Sequence, residues 1–151
     1  MRETLWSNRE LYNLDNYSNF QVSLDFFLET GDSEIRIAFS ENKDEDDSLV
    51  FRISGESDMT GTLLQQTKEN ESYYYRDYSP ITFGMWNHIE FNFISENSLD
   101  ILINGVSLNG IMAPVTISKR GFIGIVKSDY RFDKLFIRNF KGSFRERPII
   151  D

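Results

Sequence analysis

Apolar residues recur at every second position through most of this chain, and few folds tolerate that. In "FQVSLDFFLE", Phe20, Val22, Leu24, Phe26 and Leu28 fall on one side, and Gln21, Ser23, Asp25 and Glu29 on the other. Successive side chains of a strand point to opposite faces, so this segment is a half-buried strand with one face on a core. "EIRIAFS" repeats the pattern with Ile35, Ile37 and Phe39, and "LVFRIS" with Leu49, Phe51 and Ile53. A short strand is expected around residues 61–66. "YYYRDY" reads as an edge-like strand or an aromatic loop, and "APVTIS", "GFIGIVKS" and "RFDKLFIRNF" each read as strands. In the last, Phe132, Lys134, Phe136, Arg138 and Phe140 are expected on one face. No window shows apolar residues at helical spacing with suitable caps. Ten or more short strands at regular intervals imply a sandwich or barrel.

The stretch "WNHIEFNFISENSLDILINGV" carries the most topology. Ile89, Phe91 and Phe93 alternate against His88, Glu90 and Asn92. "SENS" is a turn rich in residues that bond their own backbone. Leu99, Ile101 and Ile103 then alternate again. Asn104-Gly105 tolerates positive φ at both positions, the strongest short hairpin signal. The segment is a meander of three antiparallel strands, with Trp86 at its start, where a large aromatic closes the end of a core.

Composition bounds the function classes. The 151 residues fit one domain with a sizeable core. With 13 Phe, 7 Tyr and little Ala, the composition favours strands over helices. The net charge of −8 argues against nucleic acid, because phosphate binding needs clustered Lys and Arg. The basic stretch "YRFDKLFIRNFKGSFRER" spreads its charges along a strand and a tail. No stretch is long and apolar enough for membrane insertion. The absence of Cys excludes disulfides, thiolate zinc sites and Cys nucleophiles. It suits a cytosolic protein and an exported bacterial domain equally.

Trp, alternating strand, polar turn, alternating strand and Asn-Gly together resemble the concanavalin A-like and laminin G-like jelly rolls. "NFQVSLDFFLE" is similar to their first long core strand, and "SLVFRIS" to the strand that follows. "GFIGIVKSDYRFDKLFIRNF" is similar to their closing pair. The resemblance covers about residues 15–140. It implies an all-β, two-sheet antiparallel jelly-roll sandwich. The expected organisation is an N-terminal extension or first edge strand over 1–14, the jelly roll over 15–141 and a tail over 142–151. It also favours an extracellular or cell-surface module, although the N-terminal residues show no signal core.

Function needs a site of its own, since this fold serves many. Laminarinase-like members of the superfamily carry their carboxylates as Glu-x-Asp-x-x-Glu on one strand. That motif is absent, so the chain reads as non-catalytic. His88, the single histidine, reads as a surface residue sharing a face with Glu90. Calcium takes oxygen ligands. "ENKDEDDS" supplies Asp44, Asp46 and Asp47, and the resemblance adds Asp133 near the last strand. A structural calcium is the one cofactor considered, against a solvated acidic loop.

Sugar binding asks for exposed aromatic faces beside hydrogen-bonding groups. "ESYYYRDYS" offers Tyr73, Tyr74, Tyr75, Arg76, Asp77 and Tyr78, with Tyr73 and Tyr75 expected on one face and Tyr74 on the other. Trp6 and Tyr130 are candidates to join them. The expectation is a lectin-like carbohydrate-binding module with a glycan partner. The alternative is a laminin G-like protein-interaction domain, with outward-facing Phe27 as a possible contact. A glycoside hydrolase-related domain comes third.

Overall fold

The computed structural model describes residues 2–13, 17–29, 34–54, 60–95, 98–108, 120–128 and 135–146. These residues form strands and turns, with no helix among them. None of them therefore makes a helix long and apolar enough to cross a membrane. The strands are β1 (Arg2–Trp6), β2 (Tyr12–Asn13), β3 (Tyr17–Leu28), β4 (Glu34–Ser40), β5 (Ser48–Ser54) and β6 (Thr60–Gln66). They continue with β7 (Glu71–Tyr78), β8 (Trp86–Ser95), β9 (Ser98–Ile103), β10 (Val106–Ser107), β11 (Arg120–Ser128) and β12 (Leu135–Glu146). The expected strand "APVTIS" lies outside the described residues. β12 runs on to Glu146, into the stretch read from sequence as a tail, and β1 falls within 1–14.

Two antiparallel sheets make the sandwich. The seven-stranded sheet runs β1-β11-β4-β5-β6-β7, with β2 also paired to β11. The five-stranded sheet runs β10-β9-β8-β3-β12. The alternation read from the sequence is the alternation of burial. Phe20, Val22, Leu24, Phe26 and Leu28 are fully buried, and Gln21, Ser23, Asp25 and Phe27 between them are half-buried. From the other sheet, Ile35, Ile37, Phe39, Phe51, Ile53 and Leu63 meet them. Aromatic rings fill the gap between the sheets. Phe91 takes Phe39 edge-on at 4.9 Å and Phe51 at 5.7 Å, and Tyr12 stacks on Phe20 and Phe93 at 5.7 and 5.6 Å. Such offset and edge contacts suit the ring quadrupoles.

The meander is as expected. β8 pairs β9 and β9 pairs β10, and Asn104 and Gly105 turn between the last two with φ of 52° and 81°. Those angles define the two-residue turn whose twist matches a hairpin. Asn104 adds a second function. Its backbone N–H donates to the His88 carbonyl at 2.8 Å, and its side-chain oxygen accepts the His88 N–H at 2.9 Å.

Trp86 corrects the sequence reading, which placed it in the core. It is 38% exposed. Strand parity is the cause. Ile89, Phe91 and Phe93 face inward, so Asn87 takes the inward position at the start of β8 and Trp86 is turned to the outer face with His88 and Glu90. Asn87 is 1% exposed. It accepts the Thr82 N–H, and its amide donates to the Thr82 and Met85 carbonyls, at 2.9, 2.9 and 3.1 Å. The connector from Ser79 to Met85 is folded around this one side chain.

Candidate functional site

β7 is an edge strand of the seven-stranded sheet, as its sequence suggested. Its tyrosines do not alternate as expected. Leu63 of β6 pairs with Tyr75, but Leu64 pairs with Tyr73, so Tyr74 is the extra residue of a bulge. The expectation that Tyr73 and Tyr75 share a face is thereby overturned. Tyr75 joins the core at 8% exposure, and burial raises the pKa of its hydroxyl, with Asp77 adding to the effect. Tyr74 packs partly buried against the same core. Tyr73, 49% exposed, turns its ring outward, and its hydroxyl donates to the Glu71 carboxylate at 2.7 Å. Asp77 is exposed. In register, Arg76 stands opposite Thr62 and Tyr78 opposite Thr60. Tyr130 lies outside the described residues.

The outer face of this sheet is organised in rows across the strands. One row runs from Trp6 through Gly124, Ala38, Val50 and Leu64 to Tyr73. An aromatic stands at each end, over a buried apolar floor of Ala38, Val50 and Leu64. Gly124 is required beneath Trp6, because a Cβ there would come within 2.6 Å of the indole. The neighbouring row holds Arg36, Arg52, Thr62 and, by register, Arg76. Arg52 is half-buried and Arg36 is buried, with its Nε 3.7 Å from the Glu34 carboxylate. The sequence reading did not name Arg36, Arg52, Thr62 or Glu71. The signal was present in part, since both "EIRIAFS" and "LVFRIS" put Arg in the outward phase. The register that sets the two arginines opposite one another was not visible.

The acidic loop at 41–47 is held by Ser40. Its hydroxyl oxygen accepts the N–H groups of Asn42 and Asp44 at 3.3 and 3.1 Å. The Asp44 carboxylate accepts the Asp46 N–H at 2.9 Å, and Glu45 accepts the Thr4 hydroxyl at 2.8 Å. Among the described residues, no three His, Cys, Asp or Glu side chains gather to hold a metal, so Asp44, Asp46 and Asp47 form no such set there. Asp133 lies outside the described residues.

The outer face of the five-stranded sheet carries a network that the sequence did not disclose. Asp25 of β3 bonds His88 Nδ1 at 2.8 Å and accepts from Arg138 Nε and the Asn139 amide at 3.2 and 2.8 Å. Glu90 bonds His88 Nε2 at 3.1 Å. The Arg138 guanidinium lies over the Trp86 ring at 3.8 Å, a cation–π contact, and Phe27 meets both Trp86 and Phe136 edge-on. The register shifts between Arg138 and Lys141, and Asn139 has a φ of 55°. This irregularity brings Asn139 to Asp25 beside Arg138, where strict alternation would have put the two on opposite faces.

His88 fixes the pH response of this network. Its bond to Asp25 raises its pKa above 6.5, desolvation opposes this, and the bond to Glu90 adds a lesser rise. The bond to His88 lowers the pKa of Asp25, helped by Asn139 and Arg138. The histidine's contribution is complete below its unfolded value near 6.5 and is lost as pH rises through the raised folded value. The Asp25 contribution is present above 3.8 and is lost as pH falls through the lowered folded value. The His88 side chain is 44% exposed, so the effect is small. Between pH 5.5 and pH 8.5, the melting temperature is expected to fall by roughly 1–3 °C more in the native chain than in His88→Gln. Parallel falls in the two proteins would dismiss the coupling.

Asp25 and Glu90 flank one imidazole. Glycosidic cleavage needs space for the scissile bond between its two carboxylates. Here that space holds His88, and Asp25 has the lowered pKa of a carboxylate that stays ionised rather than the raised pKa of a general acid.

No protein-family model and no curated protein matches the chain. Solved structures do match. A carbohydrate-binding module from Bacillus subtilis, CBM66, superposes with a TM-score of 0.71 at 14% identity, over 93% of this chain and 81% of that one. The Caenorhabditis elegans galectin LEC-6 gives 0.63 at 16% identity, over 89% and 95% of the two chains. A putative glycosyl hydrolase from Parabacteroides distasonis gives 0.60 at 17% identity, over 95% and 84%. At these identities the likeness concerns the fold, and the fold is the one the strand pattern resembled: an all-β, two-sheet jelly roll of the concanavalin A-like type.

Proposed function

We propose that this chain is a non-catalytic carbohydrate-binding module whose ligand lies on the outer face of the seven-stranded sheet, at the β6–β7 edge. One observation carries the reading. The exposed ring of Tyr73 stands at the end of the Trp6–Tyr73 row, beside the Glu71 carboxylate, with Arg52 in the next row two strands across. An aromatic face stacks on the C–H face of a sugar, and fixed polar groups at its side read the hydroxyls. Arg76 and Tyr78, placed on the outward phase by register, extend the candidate site along β7, and Asp77 lies exposed between them on the opposite phase. Tyr74 and Tyr75 support it from the core side. The likeness to a carbohydrate-binding module and a galectin agrees with this reading.

A glycan array probed with the folded protein, with calcium and again with chelator, tests the proposal and registers any contribution of the acidic loop separately. Tyr73→Ala is expected to weaken the best glycan roughly tenfold or more, as loss of an aromatic anchor does. Its thermal stability should hardly change, because the side chain is half in water. Array silence from the folded protein rejects the proposal. It would favour a protein partner, for which Trp86, Phe136 and Phe140, exposed on the other sheet, supply apolar contacts.

A further inference from the structure

We infer that the saccharide taken by this face carries an anionic group, a carboxylate or a sulfate, and that Arg52 receives it. The inference rests on the glycan-binding reading above and adds the class of ligand. Arg36 and Arg52 are directly paired across β4 and β5, and Arg76 stands two strands beyond Arg52, opposite Thr62. Like charges directly opposite one another on a strand pair destabilise it. This chain sets two in that position although its net charge is −8, so an excess of basic residues does not explain the row.

Arg36 sharpens the point. It is 5% exposed, and its Nε has no hydrogen-bond partner. The Glu34 carboxylate at 3.7 Å balances charge but is beyond hydrogen-bond length. A buried donor left idle costs free energy, and the row carries that cost. Arg36 itself is covered and its charge is balanced by Glu34, so the ligand meets its half-exposed neighbour, Arg52. A guanidinium presents a planar fork that matches two oxygens of one oxyanion. Of the acidic groups nearby, Glu34 is paired with the Arg36 cation, whereas Glu71 and Glu45 bond the neutral hydroxyls of Tyr73 and Thr4 and keep their charge, as does exposed Asp77. Tyr73, one row along and two strands across, takes the ring of one sugar, and Arg52 takes the charge of the saccharide.

Calorimetric titration with matched pairs tests this. One pair is oligogalacturonate and its fully methyl-esterified form, and the other is a sulfated oligosaccharide and its desulfated form. At least one charged member is expected to bind roughly tenfold tighter than its neutral partner at low salt. The preference should shrink as salt is raised. The pair that shows it tells carboxylate from sulfate. Arg52→Gln is expected to bring the charged member down to the affinity of its neutral partner, and Arg52→Lys to restore the preference in part, because charge returns without the fork. Tyr73→Ala should weaken charged and neutral members alike. Equal affinity within both pairs, or a preference that survives Arg52→Gln, overturns the inference and leaves the glycan-binding reading standing. Binding of neutral saccharides alone does the same. No saccharide bound by the folded protein, in solution or on the array, overturns both.

Discussion

Phe91→Ala is expected to remove about 3–5 kcal/mol of stability, the usual loss when a large buried aromatic is truncated. Phe91 is fully buried on β8, with Val22 beside it on one strand and Ile101 on the other. Its ring is where the two sheets meet, edge-on to Phe39 and Phe51 of the opposite layer. Those neighbours sit on paired strands and cannot collapse into the space without moving the sheet, so most of the cavity stays open. Domains of this size keep about 5–15 kcal/mol in all, so the variant is expected to be marginal or unfolded at 37 °C. Urea denaturation at low temperature measures the loss. A loss below about 1.5 kcal/mol would mean that the sheets do not pack through this ring.

Asn87→Ala is the second large effect, expected at about 2–3 kcal/mol. The side chain is buried, accepts the Thr82 N–H and donates to the Thr82 and Met85 carbonyls. Its oxygen also accepts the Asn104 amide at 3.0 Å, so one residue joins the connector before β8 to the turn before β10. Alanine leaves these backbone groups without the partner that Asn87 supplies. The Thr82 amide should then exchange its hydrogen faster than neighbouring strand amides, as followed by NMR. Unchanged exchange at Thr82 with wild-type stability would show that the connector holds without Asn87. Asn87→Asp offers a second check. It keeps the acceptor but loses both donated bonds and buries a charge, so it should be no milder than alanine.

Period two made the strands and the core legible, because each strand has one wet and one dry face. The same parity held the correct position of Trp86, two residues before the His88–Glu90 side of β8. A likeness to other jelly rolls pointed the other way. Tyr74 shows where parity stops being enough. A bulge is a property of two strands, and "ESYYYRDYS" by itself does not reveal that Leu63 and Leu64 will face Tyr75 and Tyr73. The Arg36–Arg52 pair was hidden for the same reason, since it depends on how the loop between β4 and β5 sets their register. The Asp25–His88–Arg138 network was the least visible, because its members are 63 and 113 residues apart and join only when β3 sits between β8 and β12.

That central placement of β3 has a consequence for how the chain is made. Residues 17–28 leave the ribosome more than a hundred residues ahead of the stretch 135–146, which is one of their two neighbours. The seven-stranded sheet waits in the same way, because β1 and β4 are joined only through β11 at 120–128. Neither layer closes until β11 or β12 has been synthesised. Until then β3 offers unpaired backbone along a hydrophobic strand, the usual seed of edge-to-edge association. Such long-range pairing also folds slowly. Ribosome-bound fragments ending before residue 120 should therefore be chaperone-bound and protease-sensitive, with protection arriving in one late step rather than strand by strand.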